Sequence, residues 1–189
     1  MKKDDLRKLA KPAVLLFKKV PPNVLTVIGT VIVTVGAVFI LTGRFFTAGL
    51  IILLGAIFDT IDGEVARYTD KITPFGSFLD STLDRYADFF IFLCIAIYGK
   101  GSNLTILSLA ALIGSFITSY TRARAEALGY SLKVGIIQRP ERIILIILGL
   151  LFGYRVLWWV VLIIAVLANI TGLQRIFVFY KQTKGGNNG

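Results

Sequence analysis

Apolar residues fall in long blocks, and polar or glycine-bearing turns separate them. The blocks are Val24–Leu41, Phe45–Arg67, Phe75–Tyr98, Leu104–Leu128, Ile136–Phe152 and Val156–Tyr180. Several of them approach or exceed the roughly 20 residues that cross a bilayer as a helix. Gly43-Arg44, Tyr68–Pro74, Gly99–Asn103, Gly129–Gly135 and Gly153–Arg155 are the turns between them. The pattern predicts an all-α integral membrane protein with six transmembrane helices in one domain, residues 21–180. Ahead of it, residues 1–20 carry apolar positions at Leu6, Leu9, Ala13, Leu16, Phe17 and Val20. That is helical spacing, but the stretch is too charged to span. It predicts an amphipathic N-terminal helix lying on the membrane surface, ended by Pro21-Pro22. Residues 181–189, KQTKGGNNG, are predicted to form a disordered tail. No small-residue cleavage site follows the first apolar block, so the first span is expected to be its own insertion signal.

Composition supports a membrane protein. Hydrophobic residues make up 56% of the 189, where a soluble domain has about 45–50%. Net charge is +10, which raises the question of nucleic acid. The placement of charge answers it. With six spans, 18 of the 21 Lys and Arg fall on the side of the two termini, and only Arg44, Lys100 and Arg155 fall on the other. Lysine and arginine collect on the cytoplasmic face. Both termini are therefore expected in the cytoplasm, in a multi-pass protein of the cell membrane whose partner is the lipid bilayer and not nucleic acid. All 11 acidic residues also lie on that side or in its half of the spans, so the active chemistry is expected there.

The chain has no histidine. Histidine-based acid–base chemistry, a Ser-His-Asp triad and His-ligated zinc are excluded. The single cysteine, Cys94, has no partner for an internal disulfide and reads as a small core or lipid-facing residue. A bound metal would be held by oxygens, which favours magnesium, manganese or calcium.

Four aspartates stand in this apolar setting: Asp59, Asp62, Asp80 and Asp84. Carboxylates at membrane depth are costly and mark function. Asp59, Asp62 and Ala66 are spaced i, i+3, i+7 and share one helix face; Gly76, Asp80 and Asp84 are spaced i, i+4, i+8 and share another. The short turn between the two blocks predicts antiparallel neighbours whose acidic faces meet. Carboxylates brought together repel one another, and divalent cations relieve that repulsion. Two such ions form a clamp suited to phosphoryl transfer. Gly63, Gly76 and Ala66 leave room for a ligand, and Arg67 offers forked donors to phosphate oxygens. Two other readings remain open from the residues alone: aspartates paired with arginines to join helices, and a divalent-cation transport path.

The stretch resembles the signature of the CDP-alcohol phosphotransferase family, Asp-x2-Asp-Gly-x2-Ala-Arg, eight residues, then Gly-x3-Asp-x3-Asp. All its positions are present, as Asp59, Asp62, Gly63, Ala66, Arg67, Gly76, Asp80 and Asp84. The resemblance implies a metal-dependent enzyme in which the hydroxyl of an acceptor alcohol attacks the β-phosphate of a CDP-linked donor and CMP leaves. It implies that Asp59, Asp62 and Asp80 hold two Mg2+ or Mn2+ ions, with Asp84 touching the second ion and serving as general base. Asp62, Gly63, Ala66, Arg67 and Gly76 would bind the nucleotide. Asn23 and Thr26, in Pro22-Asn23-x-x-Thr26, resemble a further nucleotide contact, with Asn23 as a helix N-cap the other reading. The family also implies a homodimer.

Later in the chain, SYTRARAEALG and QRPER are similar to the inositol-phosphate branch of the family. That similarity implies a phosphorylated acceptor, inositol phosphate, and a CDP-linked lipid donor. Ser119, Arg122, Arg142 and Arg175, with Arg124 nearby, are the implied phosphate-binding residues. Arg122 stands where a lysine is expected in bacterial members. Clustered arginines repel unless an anion sits among them, which fits a phosphate. Other acceptors (glycerol 3-phosphate, serine) or CDP-inositol as donor would use the same chemistry.

Overall fold

The structure is a computed structural model that describes residues 14–185. Six long helices follow one another: α1 (Pro22–Leu41), α2 (Phe45–Tyr68), α3 (Pro74–Tyr98), α4 (Asn103–Ala127), α5 (Arg139–Leu151) and α6 (Tyr154–Gly185). No strand occurs among the described residues. The apolar blocks and these helices coincide to within a few residues.

Among the described residues, four helices, α1, α2, α4 and α6, are long and apolar enough to cross a membrane. This is fewer than the six spans expected. Helix α3 carries Asp80, Asp84, Arg85 and Asp88 between its start and its middle turns, which dilutes its apolar run. Helix α5 has 13 residues, about 20 Å at 1.5 Å per residue, short of the roughly 30 Å hydrocarbon core.

The principal packing contacts close into a ring. Helix α1 packs on α2 and α3, α3 on α4, α4 on α6, α6 on α5, and α5 returns to α2. One apolar core runs through it, from Val33 and Ile40 of α1 to Ile91 and Phe92 of α3 and Leu157 and Ile164 of α6. Small residues let helices approach closely. A Cβ on Gly55 would lie 2.6 Å from Val33 Cγ2 and 2.8 Å from the Gly29 carbonyl oxygen. Between α4 and α6, Thr118 Oγ1 donates to the Ala168 carbonyl (3.0 Å) and Asn169 Nδ2 to the Ala110 carbonyl (2.9 Å).

The ring corrects one expectation. The aspartate-bearing helices α2 and α3 are not a principal packing pair; each packs on other helices. Facing carboxylates need space between them, so the two helices meet through side chains.

At the N-terminal end, residues 14–17 are helical. Val14 is buried with Leu25, Ile61 and Val65, and Phe17 meets Phe58 edge-on at 5.5 Å, while Leu16 is exposed. The remainder of the amphipathic segment expected over 1–20 lies largely outside the described residues. At the other end, helix α6 continues to Gly185, so disorder from 181 is not what the structure shows. Lys181 and Lys184 cover the rings of Phe177 and Tyr180 one turn back, contacts that help carry the helix on. Residues 186–189 lie outside the described part.

Candidate functional site

The last turns of α2 and the first of α3 bring the aspartates together. Pro74 opens α3 and Thr73 caps it, its Oγ1 accepting the Gly76 N–H at 3.0 Å. This cap starts the helix in the register that turns Gly76, Asp80 and Asp84 to one face. Asp59, Asp62 and Asp80 each place one carboxylate oxygen within 4.8 Å of the other two. Asp62 is 5% exposed, and its Oδ2 is buried with no hydrogen-bond partner among the described residues. An orphaned carboxylate oxygen costs more than a satisfied one. Three convergent carboxylates, one with a free buried oxygen, fit a hard divalent cation such as Mg2+ or Mn2+.

Every nucleotide-site residue expected from the sequence lines one cavity of about 170 Å³: Asn23, Thr26, Asp62, Gly63, Ala66, Arg67 and Gly76. The glycines have different neighbours. A Cβ at Gly76 would come within 3.0 Å of Asn23 Oδ1, so glycine lets α3 approach the start of α1. At Gly63 the nearest neighbour would be the Arg67 guanidinium, 3.3 Å away. Asn23 is not the N-cap of α1, which is Pro21, and no side-chain cap bond forms there. Its side chain is left for the cavity. Arg67 Nη2 pairs with Glu64 at 2.8 Å, and the half-exposed guanidinium stands at the rim.

A second, polar cavity of about 560 Å³ lies beside the first. Ser77, Asp80, Asp84, Ser119, Arg122, Arg139, Arg142 and Arg175 are among the residues lining it. Ser77 and Asp80 line both cavities, so the two adjoin at the aspartates. Four of the five residues expected to hold the acceptor phosphate are thus brought together: Ser119, Arg122, Arg142 and Arg175. The fifth, Arg124, is not. It lines a smaller, apolar cavity with Leu128, Leu132, Ile176 and Phe179, which touches the polar one only through Arg175. Two residues along a helix from Arg122 is about 200° around its axis, so the two point apart.

The arginines are held differently. Arg122 forms an exposed pair with Glu126 (Nε to Oε1 2.9 Å). Arg175 is 3% exposed; its Nε donates to the Val134 carbonyl at 2.9 Å, and its Nη1 to the Thr118 carbonyl. Arg142 is 1% exposed and pairs with Asp88, Nη2 to Oδ2 3.0 Å. The segment ahead of α5 is pinned to α6, where Thr171 Oγ1 accepts the N–H groups of Ile136 and Ile137, each at 3.2 Å. The Gln138 N–H donates to Glu141 Oε2 at 3.0 Å. Together these contacts fix where α5 begins and aim Arg139 and Arg142 at the aspartates.

Sequence reasoning missed two residues. Arg139 bridges Asp59 (Nη1 to Oδ2 3.1 Å) and Asp84 (Nη2 to Oδ1 2.7 Å). Asp88 anchors Arg142. Asp88 continues the i, i+4 run of Asp80 and Asp84, and this was the available signal. Arg139 stands in the QRPER stretch, but its pairing with Asp59, 80 residues away, has no signal in the sequence. Arg85 also approaches Asp84, at 3.4 Å.

A third hollow of about 280 Å³ opens beside Asp59 and Arg139. Its other walls include Gly29, Val33, Ile52, Ala56, Ile143 and Ile147. The site therefore has an apolar flank as well as two polar cavities.

Residues 19–171 match the family model described as CDP-alcohol phosphatidyltransferase. The archaetidylinositol phosphate synthase of Pyrococcus horikoshii is 39% identical over 169 residues, covering 88% of this chain and 87% of that protein. A crystal structure of Mycobacterium tuberculosis phosphatidylinositol phosphate synthase with CDP-DAG bound is similar with a TM-score of 0.83 and 29% identity, covering 92% of this chain and 94% of that one. The same enzyme in complex with manganese and citrate is similar at TM-score 0.83 and 30% identity, covering 90% and 88%.

Proposed function

From membership of the CDP-alcohol phosphatidyltransferase family, to which this chain belongs, we propose that it transfers a phosphatidyl-type group from a CDP-linked lipid to inositol phosphate and releases CMP. One observation carries the reading: the cavity lined by the nucleotide-site residues and the arginine-lined cavity adjoin at Asp80, beside the carboxylate cluster. A donor diphosphate and an anionic acceptor can meet there. The crystal structure of the mycobacterial enzyme with CDP-DAG, and the name of the Pyrococcus relative, support the donor and acceptor.

Asp59, Asp62 and Asp80 would hold the divalent ions, with Asp84 touching the second. When bound, such ions neutralise diphosphate charge and stabilise the leaving group. The chain's own residues do the rest. Asn23, Thr26, Gly63, Ala66, Arg67 and Gly76 seat the CDP moiety, and Arg67 offers paired donors to its phosphates. Ser119, Arg122, Arg142 and Arg175 hold the acceptor phosphate and so aim one hydroxyl at the β-phosphorus. Asp84 takes the proton of that hydroxyl. The new oxygen–phosphorus bond forms as the bond from the β-phosphorus to the bridging oxygen breaks, and CMP carries that oxygen away. Holding both reactants in line lowers the barrier before any proton moves.

The same reading makes all six helices span the bilayer in a domain of residues 21–180, with α3 and α5 completed by their neighbours. Both termini and the site face the cytoplasm, the N-terminal segment lies on the membrane surface, and the enzyme acts as a homodimer. The lysine and arginine placement supports the orientation.

Purified protein supplied with CDP-lipid, Mn2+ and radiolabelled inositol phosphate should yield labelled lipid and an equal amount of CMP. Product from glycerol 3-phosphate or serine, with none from inositol phosphate, would overturn the acceptor. Divalent-metal flux in liposomes without CMP release would make the chain a transporter.

A further inference from the structure

Arg139 belongs to α5, yet its guanidinium sits among the carboxylates of α2 and α3. It bonds Asp59 and Asp84 at once, at 3.1 and 2.7 Å. Asp59 is one of the three clustered carboxylates. The guanidinium thus sets a positive charge between carboxylates of the two helices. Its hold is incomplete: Nε is buried without a hydrogen-bond partner among the described residues. A buried donor left unmade weakens the case for staying there. Arg139 also stands at a junction, lining both the apolar hollow beside Asp59 and the polar cavity of Arg122, Arg142 and Arg175.

We propose that Arg139 is an exchangeable counter-cation: it holds Asp59 and Asp84 together while the carboxylates lack a second divalent ion, and is displaced when that ion enters. The inference rests on the proposed metal site and adds a residue to it. A guanidinium and a divalent ion cannot both sit between Asp59 and Asp84, so they compete. The competition has a use. Four carboxylates without any cation repel one another, and Arg139 keeps their geometry ready. Once displaced, its charge faces the polar cavity. The cavity then becomes more cationic only after the metal is in place, which favours metal and donor before the acceptor anion. Linkage makes the effect reciprocal. Arg139 is a positioning residue in this scheme, acting through Asp59 and Asp84.

Mn2+ binding to the purified full-length protein, without substrates, tests this by electron paramagnetic resonance of the free ion. Arg139→Gln removes the competing charge and should tighten the weaker Mn2+ site at least tenfold. Arg139→Lys keeps a charge but cannot span both carboxylates, and should tighten it by a smaller factor. Circular dichroism and gel filtration of both variants confirm the fold, and the lysine variant carries the test if the glutamine variant does not fold. Unchanged or weaker Mn2+ binding in the folded variants would overturn the proposal, since a merely structural bridge loosens the site when cut. If the unaltered protein binds no Mn2+ that Asp59→Asn and Asp80→Asn abolish, the metal site itself fails and the proposal falls with it.

Discussion

Cutting the ion pair between Asp88 and Arg142 should destabilise the protein severely. Both side chains are 2% exposed, and they join α3 to α5 at 3.0 Å across 54 residues of sequence. Asp88→Ala leaves the Arg142 guanidinium buried, with its Nε already lacking a partner. Removing one member of such a pair costs about 3–5 kcal/mol, because the survivor is an uncompensated charge. For a chain of this size that corresponds to a fall of about 6–20 °C in Tm. Thermal unfolding of the detergent-purified protein reads it directly. The double variant Asp88→Leu, Arg142→Met removes both charges at similar volume and should recover most of the lost stability, since apolar replacement of a buried pair is often neutral. It should not recover function: Arg142 lines the polar cavity, so the KM for a phosphorylated acceptor stays raised. A change of less than about 2 °C for Asp88→Ala, or a double variant as unstable as the sum of the two singles, would refute the reasoning.

Other substitutions probe the remaining parts of the site. Asp84→Asn removes the proposed base and should lower kcat by about 10²–10⁴-fold while CDP-lipid binding persists; equilibrium binding of the donor separates the two effects, and loss of both would show that Asp84 does more than accept a proton. Arg122→Ala should raise the KM for a phosphorylated acceptor by about 10- to 100-fold, the worth of one charge-assisted bond, whereas Arg124→Ala, on the far side of α4, should leave it within about twofold; steady-state kinetics on the pair decides. Gly55→Ala forces a methyl against the Gly29 carbonyl and Val33, and should cost about 1–3 kcal/mol of stability, seen as an earlier thermal transition without a selective effect on either KM.

Much of the site follows from local periodicity, which any helix imposes on its own sequence. The i, i+3 and i, i+4 spacings put Asp59 with Asp62, and Gly76 with Asp80 and Asp84, on single faces wherever those helices pack. The absence of histidine pointed to oxygen donors for any metal, and the apolar blocks located six helices to within a few residues. The tertiary structure decided what depends on how one helix is turned against another. It placed Arg122 in the polar cavity and Arg124 outside it. It kept α2 and α3 from close packing, so that carboxylates fill the space between them. It paired Asp88 with Arg142, and laid Arg139 across Asp59 and Asp84. These contacts join residues 54 to 80 positions apart. Nothing in the spacing of either partner encodes them, because helical periodicity fixes a side chain's angle about its own axis and not the neighbour that axis will meet.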